Sequence, residues 1–459
     1  MFQVQAPSRA AVAQLQETAT AFYWSASAGM ILRKHGLRVA AEGAAQADSA
    51  FPLVLRGVEG PLPDRGFIEG PLPEAWLREL GLAAVTASAE EVALSDADGV
   101  PLGQLVYSRF LVKRIPASRQ EVTEPHEWID PDPRWRSRPV AFQTFPVLPA
   151  GWRVVCQAET GSGKAAVMVS DGRRIVCGAP VFDILGHMHA MPALTEGFFK
   201  TLKTSYLYPF EKWLVRELAA HAGPAGAPGG VWPLGMTSAL SIRHDYDRPI
   251  SDAHLADMLR CYAGLGLRAT WFLIVGKPPP RQQIESMLAL GHEVALHSIA
   301  NTLDEFIEEA LRFRELTGTS AAGFTCHGGI GSSGHLALTH NLWAHGVGMR
   351  YGEMIGRCRG VSHPLVTPRP DIPAMLPLML QNCHHSLDLT TKPDGHQLER
   401  LREEVPRALA EGGYVTVMNH PDIHWPEMRA LMQGLDLHRV WTATLRDANE
   451  WLLQNLFTG

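Results

Sequence analysis

The stretch ALSIRHDYD, residues 239–247, decides how the rest of the chain is read. Leu240 and Ile242 alternate with smaller or polar neighbours, which suits a buried strand. The run then ends in Arg243, His244, Asp245 and Asp247. Ionisable groups at the end of a buried strand stand where α/β proteins place their chemistry, at the carboxyl ends of strands. Two aspartates within one tripeptide repel each other, and a bound cation, a nearby Arg or His, or a shared proton relieves the repulsion. A strand followed by a solvated Asx turn is the plainer alternative.

Outward from this stretch, strand and helix patterns alternate, the signature of a parallel sheet. Helices are expected over 252–265, 281–290, 303–316, 336–344, 397–410 and 446–456, with Asp252 near the first cap and Gly266 near its end. Strands are expected over 240–243, 269–275, 293–296, 324–326, 349–351, 379–382 and 414–418. Three of them run into histidines: His297, His327 and His420. If the strand ends converge, one carboxylate and two imidazoles form a facial set for a divalent ion such as zinc. A second carboxylate can act as base on an activated water, and a further histidine can protonate a leaving amine. That set suits hydrolysis of an amide.

Residues 222–230, AGPAGAPGG, hold only Ala, Gly and Pro, and place a linker at 222–231 between a domain over 1–221 and one over 232–459. Upstream, a helix is expected over 7–35, strands over 37–40, 51–55, 92–95 and 105–107, a helix over 73–80, and an irregular excursion over 125–139. Strands at 153–158 and 166–170 are joined through GSGK (161–164), and Asp171-Gly172 turns into a strand at 174–177. GSGK is no phosphate loop: Ala158 stands where its first Gly belongs, and Ala165 follows the Lys instead of Ser or Thr.

The 459 residues call for about two or three domains. The net charge of −6 and the lack of a long basic run argue against a nucleic-acid polymer as partner. No window has the apolar length of a membrane span, and the first residues lack the apolar core of a secretory signal. Cysteines 156, 177, 261, 326, 358 and 383 form no CxxC pair, which disfavours a disulfide scaffold or a cysteine zinc knuckle and fits a reducing cytoplasm.

The succession HDYD, ATWFLIVG, GHEVALHS, CHGG and VMNHP across about residues 235–455 resembles the NodB-homology polysaccharide deacetylases, carbohydrate esterases that remove acetyl groups. The resemblance implies a distorted (β/α)7-type barrel preceded by a smaller α/β domain. It implies Asp245 as base, Asp247 and His297 as ligands of a zinc ion, and His420 as general acid. The second motif usually carries another His four residues on, where this chain has Asn301. His327 is the expected replacement ligand, with His244 next. CHGG lacks the Arg that the third motif holds near the base, and Arg243 is placed to orient Asp245 instead. An acetylated amino-sugar substrate follows, nucleotide-linked, lipid-linked or an oligosaccharide. Another linear amide on the same fold, or a non-catalytic carbohydrate-binding protein, are the alternatives. Residues 177–192 weakly resemble the last elements of glutamine-amidotransferase-like domains, without the Gly-x-Cys-x-Gly elbow, so the first half is expected to be non-catalytic. His187 and His189 read as surface or capping groups; His384, His385 and His424 remain open as contacts, and Trp271, Trp343 and Trp425 as sugar platforms or core.

Overall fold

The structure, a computed structural model, describes residues 31–32, 53–54, 61–106, 112–113, 128–129, 139–190, 208–222, 232–233, 235–300, 302–327, 344, 346–354, 365–366, 379–382, 385–386 and 396–457. Most of the expected helix over 7–35, the strand over 37–40, most of the linker, Asn301, His384 and the helix over 336–344 apart from Ala344 lie outside the described residues.

In the first half, seven strands form one mixed sheet in the order Leu53–Val54, Gly66–Glu69, Arg174–Cys177, Gly163–Ser170, Arg153–Thr160, Glu91–Asp96, Pro101–Val106. Thr160 pairs with Gly163, so Gly161-Ser162 is the hairpin turn, and Gly163 takes a φ of 112° that favours glycine. The helices Val181–Ala190 and Tyr208–Ala222 bury Phe182, Ile184, Leu185, Phe210, Leu214 and Leu218 in the same core as Phe67, Val155 and Val167. Five strands escaped the sequence reading, among them the short antiparallel pair Val112–Lys113 and Trp128–Ile129, the second of which lies in the expected irregular excursion. Gly66–Glu69 is hemmed in by Gly and Pro, and Ala83–Ala89, paired with Val140–Val147, is built of small residues with no apolar alternation.

The second half is a parallel sheet flanked by helices. Its elements are β1 (Ser238–Tyr246), α1 (Asp252–Leu265), β2 (Ala269–Leu273), α2 (Arg281–Ala289), β3 (Glu293–Ser298), α3 (Leu303–Thr317), β4 (Gly323–Cys326), β5 (Tyr351–Met354), β6 (Leu365–Val366), β7 (Met379–Asn382), β8 (His385–Ser386), α4 (His396–Ala410), β9 (Tyr414–Asn419), α5 (Trp425–Gln433), β10 (Val440–Thr442) and α6 (Leu445–Phe457). The spatial order is β6-β7-β5-β4-β3-β2-β1-β9-β8, with β10 also on β1; among the described residues every pairing but β6–β7 is parallel. No described pairing joins β7 to β8, and among the described residues the expected distorted (β/α)7-type barrel is seen as a curled sheet. Ser251, not Asp252, caps α1 by accepting from the His254 N–H, and Gly266 closes that helix at a φ of 66°.

Strand β1 runs three residues beyond its expected end, so Asp245 lies within the sheet. Alternation then splits its side chains. Leu240, Ile242 and Tyr246 enter the helix-side core with Leu255, Met258 and Tyr262 of α1. Ser241, Arg243, Asp245 and Asp247 take the other face. The curl is legible in one contact: Arg243 Nη1 donates to Thr325 Oγ1 on β4 across 3.2 Å. A flat sheet would hold β1 and β4 about 14 Å apart. Among the described residues, no helix is long and apolar enough to cross a membrane.

Candidate active site

Register sets the site. Tyr246 pairs with Leu273 and Leu273 with Leu296, so Asp247, just past the end of β1, and His297, still within β3, stand at one level. His327 follows the end of β4 and His420 the end of β9, on opposite sides of β1 in strand order. The curl brings all of them to Asp247. His327 Nε2 is 3.0 Å and His420 Nε2 3.1 Å from Asp247 Oδ2, and His297 Nδ1 is 3.0 Å from Asp247 Oδ1. Burial pushes the Asp247 carboxyl up, but the His297 ring beside it and the hydrogen bonds to His327 and His420 pull it far below the usual carboxylate range. It therefore stays ionised.

Asp245 sits one pleat deeper, 2% exposed, and is ion-paired to the fully buried Arg243. Its Oδ2 lies 3.9 Å from His297 Nε2. Burial raises its carboxyl, yet the Arg243 guanidinium, with His297 and His420 nearby, holds it below the ordinary range. Arg243 is fixed in turn by Thr325 and by the Phe272 ring, 4.9 Å from the guanidinium carbon. Thr325 was missed in the sequence, although it directly precedes the Cys326-His327 pair that drew attention.

The donor chemistry suits a divalent ion. The buried His297 nitrogens and Asp247 Oδ1 make no hydrogen bond of good geometry. Two ligands of one zinc ion, each at about 2.0–2.1 Å and tetrahedrally disposed, lie roughly 3.3 Å apart, close to the separations found between Asp247 and the three rings. The rings bracket the carboxylate from different strands, but among the described residues no group of three or more His, Cys, Asp or Glu side chains is arranged so as to hold a metal ion. Asp247, His297 and His327, the expected ligands, are brought together, with both rings at 3.0 Å from the carboxylate. His420 stands as near Asp247 as His327 does, so distance alone does not separate ligand from acid.

His244 points to the other face of β1. Its Nε2 is 2.7 Å from Tyr262 Oη, its ring lies 4.2 Å from Trp271, and burial pushes its pKa down to about 3. It is a neutral core histidine, placed away from Asp247 by strand alternation. Trp271 is fully buried in that layer, and Trp425, 5% exposed, donates from Nε1 to Asp257, so both are core rather than sugar platforms. Trp343 and the side chains of His187, His189 and His385 lie outside the described residues. His424 occupies the cap of α5, its N–H donating to His420 O at 3.2 Å. In the first half, burial pushes the Cys156 thiol up to about 12 and the Cys177 thiol well above its usual value, which leaves both inert as nucleophiles.

No family model matches the chain, and no curated protein matches it. Among solved structures, it is similar to a Mycobacterium smegmatis protein assigned as a polysaccharide deacetylase, at 16% identity and a TM-score of 0.37, covering 48% of this chain and 92% of the other. It is similar to Puue allantoinase at 16% identity and a TM-score of 0.39, covering 50% and 95%. It is also similar to the catalytic domain of a peptidoglycan N-acetylglucosamine deacetylase from Eubacterium rectale, at 16% identity and a TM-score of 0.30, covering 49% and 96%.

Proposed function

We propose that the chain is a metal-dependent hydrolase of a linear amide, acting as a deacetylase on an N-acetylated amino sugar, with residues 232–459 as a NodB-like catalytic domain. One observation carries this reading: an ionised Asp247 met by three imidazoles from three strand ends, beside a second carboxylate clamped by a buried arginine. On this reading Asp247, His297 and His327 hold a zinc ion. When bound, that ion lowers the pKa of water and polarises a carbonyl. Asp245, kept ionised by Arg243, accepts the proton of the attacking water. His420, 21% exposed and facing the site from β9, gives a proton to the departing amine nitrogen. A nucleotide-linked, lipid-linked or oligosaccharide substrate in the cytoplasm fits this set of groups, with residues 1–221 as a docking module.

Elemental analysis of the wild type beside His327→Ala and Asn301→Ala is the direct test. About one zinc per chain, lost with His327→Ala and kept with Asn301→Ala, is the expected result. Asp245→Asn should keep the metal and abolish acetate release from N-acetylglucosamine oligomers, whereas Asp247→Ala and His297→Ala should lose both. No metal under any loading condition would sink the proposal in favour of a metal-free hydrolase or a binding protein.

A further inference from the structure

Helix α3 packs Phe306 and Phe313 inward, and between them, on the same face, it buries Glu309. A carboxylate at 8% exposure in an apolar layer is costly unless it is held by donors. Its partners lie at one place. Glu309 Oε2 accepts from Ser298 Oγ at 2.6 Å, and Oε1 accepts from the Ile299 N–H at 3.1 Å. Ser298 Oγ in turn accepts from the Ala300 N–H at 3.2 Å, and the Ser298 carbonyl accepts from the His327 N–H at 2.8 Å. The helix does not need this carboxylate for its own start, because Thr302 already caps it through the Glu305 N–H.

Ser298 is the residue after His297. The bonds therefore run from one buried oxygen pair to Ser298 and Ile299, the two residues that follow His297, and through Ser298 to the His327 N–H. An acceptor bearing charge forms shorter, stronger bonds than a neutral one, which suits a chain end that would otherwise be free to move. We propose that Glu309 is a positioning residue for the candidate site, holding the ends of β3 and β4 so that His297 and His327 meet Asp247 from fixed directions. It touches neither ring. Its effect passes through Ser298, and its loss loosens two strand ends together.

The test uses the full chain as wild type, Glu309→Gln, Ser298→Ala and the double variant, with two readouts. The first is hydrogen–deuterium exchange in peptides spanning 296–301 and 324–328, which does not depend on any metal. Glu309→Gln should speed exchange in both segments and leave 238–246 unchanged. The second is a cobalt(II) titration followed by visible absorption, and this arm rests on the metal-site reading above. Glu309→Gln should still bind one cobalt, with a shifted d–d band and an affinity lower by about tenfold, the loss typical when partners that orient ligands are removed. The double variant should bind no more weakly than Glu309→Gln alone, because both substitutions break one chain of bonds. Faster exchange confined to α3, wild-type cobalt affinity and spectrum in Glu309→Gln, or additive losses in the double variant would each overturn the proposal. Should Glu309→Gln fail to fold, Ser298→Ala carries the same expectations. Should the wild type bind no cobalt, the metal reading fails, and unchanged exchange at 324–328 would still refute the clamp.

Discussion

Replacing Arg243 by Met keeps the volume of a long side chain and removes its charge. Arg243 is fully buried and Asp245 is 2% exposed, so solvent cannot take over the lost partner. Breaking a buried pair by deleting one member costs about 3–5 kcal/mol, because the remaining charge stays uncompensated. Two features place this pair toward the upper end: Thr325 Oγ1 loses its donor, and the Phe272 ring loses the guanidinium it faces. The sign with pH follows from the direction of the shift. Asp245 has a depressed folded pKa in the wild type, so its contribution to stability is present above the unfolded value of about 3.9 and lost as pH falls through the folded value. In Arg243→Met that pKa rises above the unfolded value, and stability instead falls as pH increases from about 4. The gap between the two proteins should therefore be small near pH 4 and full at pH 7. Urea unfolding at both values measures it, and Arg243→Met/Asp245→Leu should recover most of the loss. A gap below about 1 kcal/mol at pH 7, or a double variant as unstable as the single, would refute the reasoning.

Three further outcomes follow from groups away from that pair. Glu293, buried on β3, accepts from Thr270 Oγ1 at 2.8 Å, Tyr351 Oη at 2.8 Å and the Arg446 N–H at 2.9 Å, and burial raises its pKa to about 6. Because the folded value exceeds the unfolded one, the wild type should lose roughly 2 kcal/mol as pH rises from 4.5 through 6, a slope that urea unfolding of Glu293→Gln should show to be absent. A Cβ at Gly323 would stand 2.2 Å from the Tyr351 ring, so Gly323→Ala should cost about 1–3 kcal/mol or more in thermal unfolding. His244→Phe removes the partner of the buried Tyr262 hydroxyl; it should destabilise by about 1–3 kcal/mol and leave the metal content at the wild-type level, since the ring lies on the helix side of β1.

The second half was legible because its pattern and its energetics agree. Residues 252–265 carry an apolar stripe, a serine just ahead and a glycine just behind, and α1 occupies those residues. The buried strand β2 reads as a nearly continuous apolar run, as a sheet covered on both faces requires, and β3 keeps an apolar centre at Val294-Ala295-Leu296. The end of β1 was placed three residues early because Arg243, His244 and Asp245 look like surface groups, and only pairing with β2 and β9 keeps them inside. Which way His244 faces was decided by the register of β1, which a list of motifs does not carry. Glu309 gave no signal, since the Glu308-Glu309 pair in a charged helix reads as a solvated face until the burial of one member is seen. In the first half, neighbouring strands such as Gly66–Glu69 and Arg174–Cys177 come from segments about a hundred residues apart, and short Gly-flanked runs do not announce such partners.

The alternation of β1 also limits how this segment can change over time. Arg243, Asp245 and Asp247 answer to the candidate site and the even-numbered positions to the helix layer, so point substitutions at the two sets are filtered by different pressures. Length is held by both at once. A single inserted or deleted residue between Ser238 and Tyr246 would turn Arg243 and Asp245 into the apolar layer and Ile242 and His244 toward the reacting groups. The two faces accept different substitutions, but the number of residues between them is held by both.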